Sequence, residues 1–205
     1  MKKKSKKSLK KKFVDNKIIR ALILSDILIL SGFGLVSPIL AVFFTEQIQG
    51  GDVKVAGLAS MIYLAVKSVL ILPIARVLDR KKGEKDDFYA MILGSTLTSF
   101  VPFSYLLITS PLQVYGAQAL YGLGEALSYP AWVAIFTRHV DKKKTSFGWG
   151  LYYTLTGLCG AITAGAGGAI ANRLGFKPLF MLVGVMSLVG SSILLLHYRR
   201  ELRKR

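Results

Sequence analysis

Acidic side chains and sulfur are both scarce in this chain. Its 205 residues include 11 Asp or Glu against 28 Lys or Arg, a formal net charge of +17. The single cysteine, Cys159, excludes an internal disulfide and any cysteine-based zinc site. It stands in an apolar run, where a lone thiol serves as a small packing residue. The two histidines, His139 and His197, fall at the ends of apolar runs, so neither can assist a nucleophilic serine inside a membrane. The one dense acidic group, Glu84, Asp86 and Asp87, is crowded among lysines in a short loop. It lacks the spacing of a metal cluster at a membrane interface. No phosphate-binding Gly-Lys-Ser/Thr loop is present, which argues against direct ATP-driven work. These absences speak against an enzyme, and no metal or cofactor is expected.

Hydrophobic residues make up 52% of the chain. A soluble basic protein of this size would read as a nucleic-acid binder. Here the apolar residues come in runs too long for a globular core, so the partner is a lipid bilayer and no nucleic acid is expected. Six runs, 18–44, 53–78, 88–108, 112–137, 147–171 and 177–197, are each long enough to cross a hydrocarbon core of about 30 Å as a helix. Pro38, Pro73, Pro102 and Pro130 lie inside or near the ends of the first four, where a bilayer helix tolerates a kink. The expected fold is an all-α, multi-pass bundle over 18–198. A disordered polybasic arm (1–17) precedes it and a basic tail (199–205) follows.

The basic residues orient it. Segments 1–20, 79–87, 138–145 and 198–205 carry 10, 4, 4 and 5 Lys or Arg, 23 of the 28. Cytoplasmic loops carry this excess, so both termini are expected inside, in the cell membrane. The lysine arm is expected to be drawn to anionic head groups.

The fourth run holds an acid in its middle. Gln118, Tyr121, Glu125, Ser128 and Trp132 recur at steps of three and four and share one helical face. An ionised carboxylate at mid-bilayer costs about 3 kcal/mol, so the helix should turn it toward protein or water. Lys67, near the middle of the second run, is its natural counter-charge, and Tyr63 one turn earlier shares that face. The pair is either a permanent structural bridge or one that opens when a proton or cargo arrives. Asp26, about two turns into the first run, either faces the same cavity or pairs with Arg20. Tyr63, Tyr121, Tyr129, Tyr153 and Trp132 either stack on cargo or pack; acids plus a lysine select no charge class of cargo. The third and sixth runs have uncharged interiors and are expected on the outside, facing lipid. The fifth has a small-residue row, Gly160, Ala164 and Gly168, suited to close approach of another helix.

Three local patterns resemble the major facilitator superfamily: Gly32, Gly34 and Pro38 in the first run, Asp79, Arg80, Lys81, Lys82 and Gly83 after the second, and Gly122 and Gly124 before Glu125 in the fourth. The resemblance covers nearly all of 18–198. It departs at Ala75 and Gly83 in the loop motif, and at Gln118, where many members carry arginine. The family normally has twelve helices in two six-helix halves, so the resemblance implies a single half. A parallel twofold homodimer would restore the whole, with the Gly160, Ala164 and Gly168 row against the second span of the other copy. The resemblance further implies a cytoplasmic latch, in which Asp79 and Arg80 meet Arg138 and the start of the fifth helix of the other half. It implies transport of a small solute by alternating access, with Glu125, Lys67, Asp26, Gln118, Tyr121 and Tyr63 around the cavity and a proton as coupling ion. The alternatives are a non-transporting membrane partner and one half of a hetero-oligomer.

Overall fold

A computed structural model of the chain describes residues 16–80 and 83–202. Most of the lysine arm, Lys81 and Lys82 of the loop motif, and the last three residues of the tail lie outside the described residues. The rest is helical: α1 (Lys17–Val36), a 3-10 turn (Ser37–Ile39), α2 (Leu40–Glu46), α3 (Val53–Arg80), α4 (Glu84–Ser104), α5 (Pro111–His139), a second 3-10 turn (Lys142–Lys144), α6 (Thr145–Leu174) and α7 (Phe176–Leu202). Four stretches are long and apolar enough to cross a membrane: Lys17–Glu46, Val53–Arg80, Lys142–Leu174 and Phe176–Leu196. The other two expected spans are also long helices, but acids, Ser and Thr dilute α4, and Gly, Gln and Tyr dilute α5.

Local chemistry sets the boundaries. Asn16, expected in the disordered arm, caps α1 by accepting from the Ile18 and Ile19 amides at 3.1 and 3.3 Å. Pro38 lacks an amide hydrogen and converts the end of α1 into the 3-10 turn. The acids expected in a loop, Glu84, Asp86 and Asp87, instead form the first turn of α4, where the helix dipole favours negative charge. Ser110 and Gln113 form a capping box that starts α5, with Pro111 at its first position. Gly175, at φ 82°, reverses the chain in one residue between α6 and α7.

The helices pack in series: α3 on α5, α5 on α4, α4 on α7, α7 on α1, and α1 on α6. This corrects the expectation that the third and sixth spans lie outermost. α4 and α7 hold much of the core, with Phe88, Met91, Val101, Leu179, Phe180 and Val183 all nearly inaccessible. Small polar residues permit it: Ser99 and Ser191 hydrogen-bond across the α4–α7 contact at 3.1 Å. Each retains an outer apolar face, as at Leu93 and Val189. The least covered helices are the ends of the series. Of the most apolar stretch of each, 11% is buried in α3 and in the segment containing α6, against 44% in α7.

Two apolar clusters form the core. One, around Ile19, Leu22, Phe88, Ile135 and Phe136, lies toward the basic ends of the helices. The other, around Phe43, Phe44, Val114, Leu179 and Phe180, lies at the opposite ends. A polar layer at mid-helix separates them.

Candidate functional site

In that layer is a cavity of about 210 Å³, to which α1, α3, α4, α5, α6 and α7 all contribute. Asp26, Lys67, Glu125, Ser128 and Trp132 line it together with Ser25, Ser95, Tyr129 and Tyr152. Glycine sets the spacing of two of the helices that line it. At Gly122 the α3 and α5 backbones come so close that a Cβ would lie 2.7 Å from the Tyr63 carbonyl oxygen and 3.2 Å from the Lys67 amide nitrogen. Glu125 follows within one turn. The close approach brings the two long side chains within reach, and Lys67 Nζ donates to Glu125 Oε2 at 2.9 Å.

Lys67 is further held by aromatics. Its Nζ donates to the Tyr63 hydroxyl at 3.3 Å and lies 5.1 Å from the Tyr129 ring centroid, within cation–π range. Tyr63 stacks on Tyr121 at 4.7 Å, and Tyr121 stacks on Phe33 at 5.1 Å, so one column of rings joins α3, α5 and α1. Tyr121 and Phe33 line a separate, smaller cavity of about 90 Å³ toward the opposite ends from the basic residues. The side chains of Lys67 and Glu125 are 24% and 27% exposed, so the pair is not sealed.

Asp26 faces the same cavity and does not pair with Arg20. The Tyr152 hydroxyl donates to it at 2.8 Å, tying α1 to α6. Gln118 is placed elsewhere. It is buried two turns from Glu125 and donates to the Tyr105 hydroxyl at 3.1 Å. Its face partners Tyr121 and Glu125 diverge from it because successive turns of α5 meet different neighbours.

The basic end holds a second cluster. Arg138 donates to Asp87, and His139 contacts Glu84, so the end of α5 is fastened to the start of α4. The Asn16 side-chain amide donates to the His139 carbonyl at 3.0 Å and adds α1 to the cluster. Burial pushes the Asp87 carboxyl above the ordinary carboxylate range; the hydrogen bond and charge of Arg138 oppose this. The Arg138 bond expected for the latch is thus made to Asp87 within the protomer. Asp79 is exposed and lines, beside Arg138, a groove between α3 and α5. Arg80 is exposed at the end of α3. At Gly160 and Gly168 an added Cβ would meet nothing within 4 Å, although both residues are half-buried and the Gly160 backbone lies against Gly34 of α1.

Sequence reasoning missed Tyr152 and Asp87. It singled out the neighbouring Tyr153, which is 63% exposed, whereas Tyr152 is buried against the cavity. In a helix as glycine-rich as α6 no apolar stripe fixes the phase, so the choice between adjacent tyrosines had no signal. For Asp87 a signal existed: three acids following a glycine is the composition of a helix start.

Residues 22–205 match the family model described as the Major Facilitator Superfamily. No curated protein matches the chain. The match runs from residue 22, within α1, through all the later helices and takes in the polar layer they enclose. Its members are membrane transporters rather than enzymes, a use that suits a bundle with an ion pair in the wall of a mid-helix cavity. The chain therefore belongs to the major facilitator superfamily and is a membrane protein of the transporter class.

Proposed function

We infer that the chain is a secondary transporter of a small solute, working by alternating access as a homodimer, with a proton on Glu125 as the coupling ion. The observation that carries this reading is the Lys67–Glu125 pair in the wall of a cavity to which all the long helices contribute. A structural bridge would be best sealed; this one adjoins open space. When Glu125 is ionised it holds Lys67. Protonation removes the charge, and Lys67 keeps Tyr63 and the Tyr129 ring while turning to cargo or water. A ligand shifts a conformational equilibrium only by its differential affinity for the two states. Opening the pair supplies such a difference, because an unpaired ammonium is costly away from water.

The ends of the helix series support a second copy as partner. α3 and α6 carry exposed faces, and the half-buried Gly160, Ala164 and Gly168 row borders the one on α6. In a parallel dimer with both termini in the cytoplasm, α6 of one copy packs on α3 of the other across the cell membrane. Asp79 of one copy then faces the start of α6 in the other, where a helix N-terminus favours an acid. Arg80 and Arg138 flank that latch.

The test is proton movement in proteoliposomes, read with an entrapped pH dye while candidate solutes are added. Wild-type protein is expected to give a solute-dependent pH change. Glu125→Gln is expected to bind solute but move no protons. If the variant keeps wild-type coupling, Glu125 is structural and this reading fails.

A further inference from the structure

The cavity has an imbalance that the Lys67–Glu125 pair does not explain. Lys67 is committed to Glu125, yet the cavity holds a second carboxylate, Asp26. Among the described residues Asp26 has the Tyr152 hydroxyl as its partner and no cation pairs with it. The charged side chains lining the cavity are Asp26, Glu125 and Lys67, two acids to one base. With both acids ionised, one negative charge is left uncompensated at mid-helix depth in the bundle. Such a charge requires a counter-charge or a proton.

Two further groups in the same wall are unsatisfied. The Ser25 hydroxyl is wholly buried and the Trp132 indole nitrogen belongs to a residue only 8% exposed; neither has a hydrogen-bond partner among the described residues. Buried polar groups are normally paired, and leaving one unpaired costs roughly 1–3 kcal/mol. The indole nitrogen is a donor only, so it needs an acceptor. The hydroxyl of Ser25, beside Asp26 in sequence, takes either role. Asp26, Ser25 and Trp132 thus line one cavity, and among the described residues the Ser25 hydroxyl and the Trp132 indole N–H have no partner.

We propose that this subsite binds a small organic cation, such as an amino alcohol. The ammonium pairs with Asp26, beside Ser25 and Trp132 in the same wall. Tyr152 holds Asp26 in place and is a positioning residue. A cavity of about 210 Å³ suits a single-ring or smaller cargo in this conformation. The proposal names the cargo class of the transport reading and rests on it for its biological meaning. The binding itself is measured without transport, so a protein that binds but does not move the cation would overturn only the transport reading.

The chain has two tryptophans, Trp132 and Trp149, whose rings are 5.9 Å apart. Trp149→Phe leaves Trp132 as the sole reporter. Its fluorescence in nanodiscs is titrated with three ligands that share a phenylcarbinol and differ in one group: 2-amino-1-phenylethanol, 1-phenyl-1,2-ethanediol and mandelate. The expected result is a saturable change with the amine, little with the diol, and none with mandelate. Asp26→Asn keeps the shape and the Tyr152 hydrogen bond but removes the charge. It should weaken the amine by about tenfold or more, the loss that goes with one charge-assisted hydrogen bond. Equal responses to amine and diol, or a stronger response to mandelate, would overturn the proposal. So would no saturable response to any ligand, since Asp26 then needs no organic cation. The comparison among ligands uses protein with an intact Asp26, so it stands even where Asp26→Asn fails to fold.

Discussion

Lys67 is the residue whose surroundings say most about the site. Its ammonium has an acid at 2.9 Å, a phenol at 3.3 Å and an aromatic face at 5.1 Å. Removing one partner of such a pair leaves the other charge stranded, and for a fully buried pair that costs about 3–5 kcal/mol. Both side chains here retain about a quarter of their exposure, so a smaller loss is expected, about 2 kcal/mol. Lys67→Met alone should lower the thermal unfolding midpoint in detergent. Adding Glu125→Gln should recover most of the loss, because no charge is then left without a partner. A double variant as unstable as the sum of the two singles would mean that the residues do not act as a pair. The same logic applies to Arg138→Gln, which strands the nearly inaccessible Asp87 carboxyl and unfastens α4 from α5.

Among the elements, α5 is the one on which the site is assembled. It presents Gly122 to α3 and Gly124 to α4, and both contacts are backbone-close. A Cβ at Gly124 would come 3.0 Å from the Gly94 carbonyl oxygen. Gly122→Val should push α3 outward, break the Lys67–Glu125 contact and destabilise the protein by about 1–3 kcal/mol, the usual cost of overpacking. Gly116→Ala on the same helix is the control. Nothing lies within 4 Å of the added methyl, and Ala is the better helix former by about 0.5–1 kcal/mol. Unfolding midpoints of the two variants should therefore move in opposite directions. If Gly122→Val is as benign as Gly116→Ala, helix contact does not create the site.

At the scale of the whole molecule, the packing series leaves α3 and α6 as its ends. A second copy covering them would give one assembly with two cavities' worth of Lys67, Glu125 and Asp26. Native mass in lipid nanodiscs is expected to show a dimer. Gly168→Leu, whose Cβ would meet nothing within 4 Å in the protomer, should leave the unfolding free energy within about 0.5 kcal/mol of wild type, while lowering the dimer fraction. A uniform monomer for wild-type protein across lipids and concentrations would refute the homodimer. An unchanged dimer in Gly168→Leu would move the interface off this row.

The sequence by itself determined the class of molecule. Apolar runs of span length exclude a soluble core, and this needs no knowledge of contacts. It also supplied the mid-span charges. Opposite charges in a low-dielectric medium have few places to go, so Lys67 and Glu125 were legible as a pair. The tertiary structure decided which faces meet. It moved α4 and α7 into the core, because Ser99 and Ser191 bond across a contact that hydropathy scores as merely uncharged. It sent Gln118 to Tyr105 and away from Glu125, because a helical face meets different neighbours at different depths. It gave Arg138 to Asp87 and chose Tyr152 over Tyr153. Spacing along one helix fixes which residues share a side, but a partner on another helix is set by crossing and depth, and those exist only once the chain has packed.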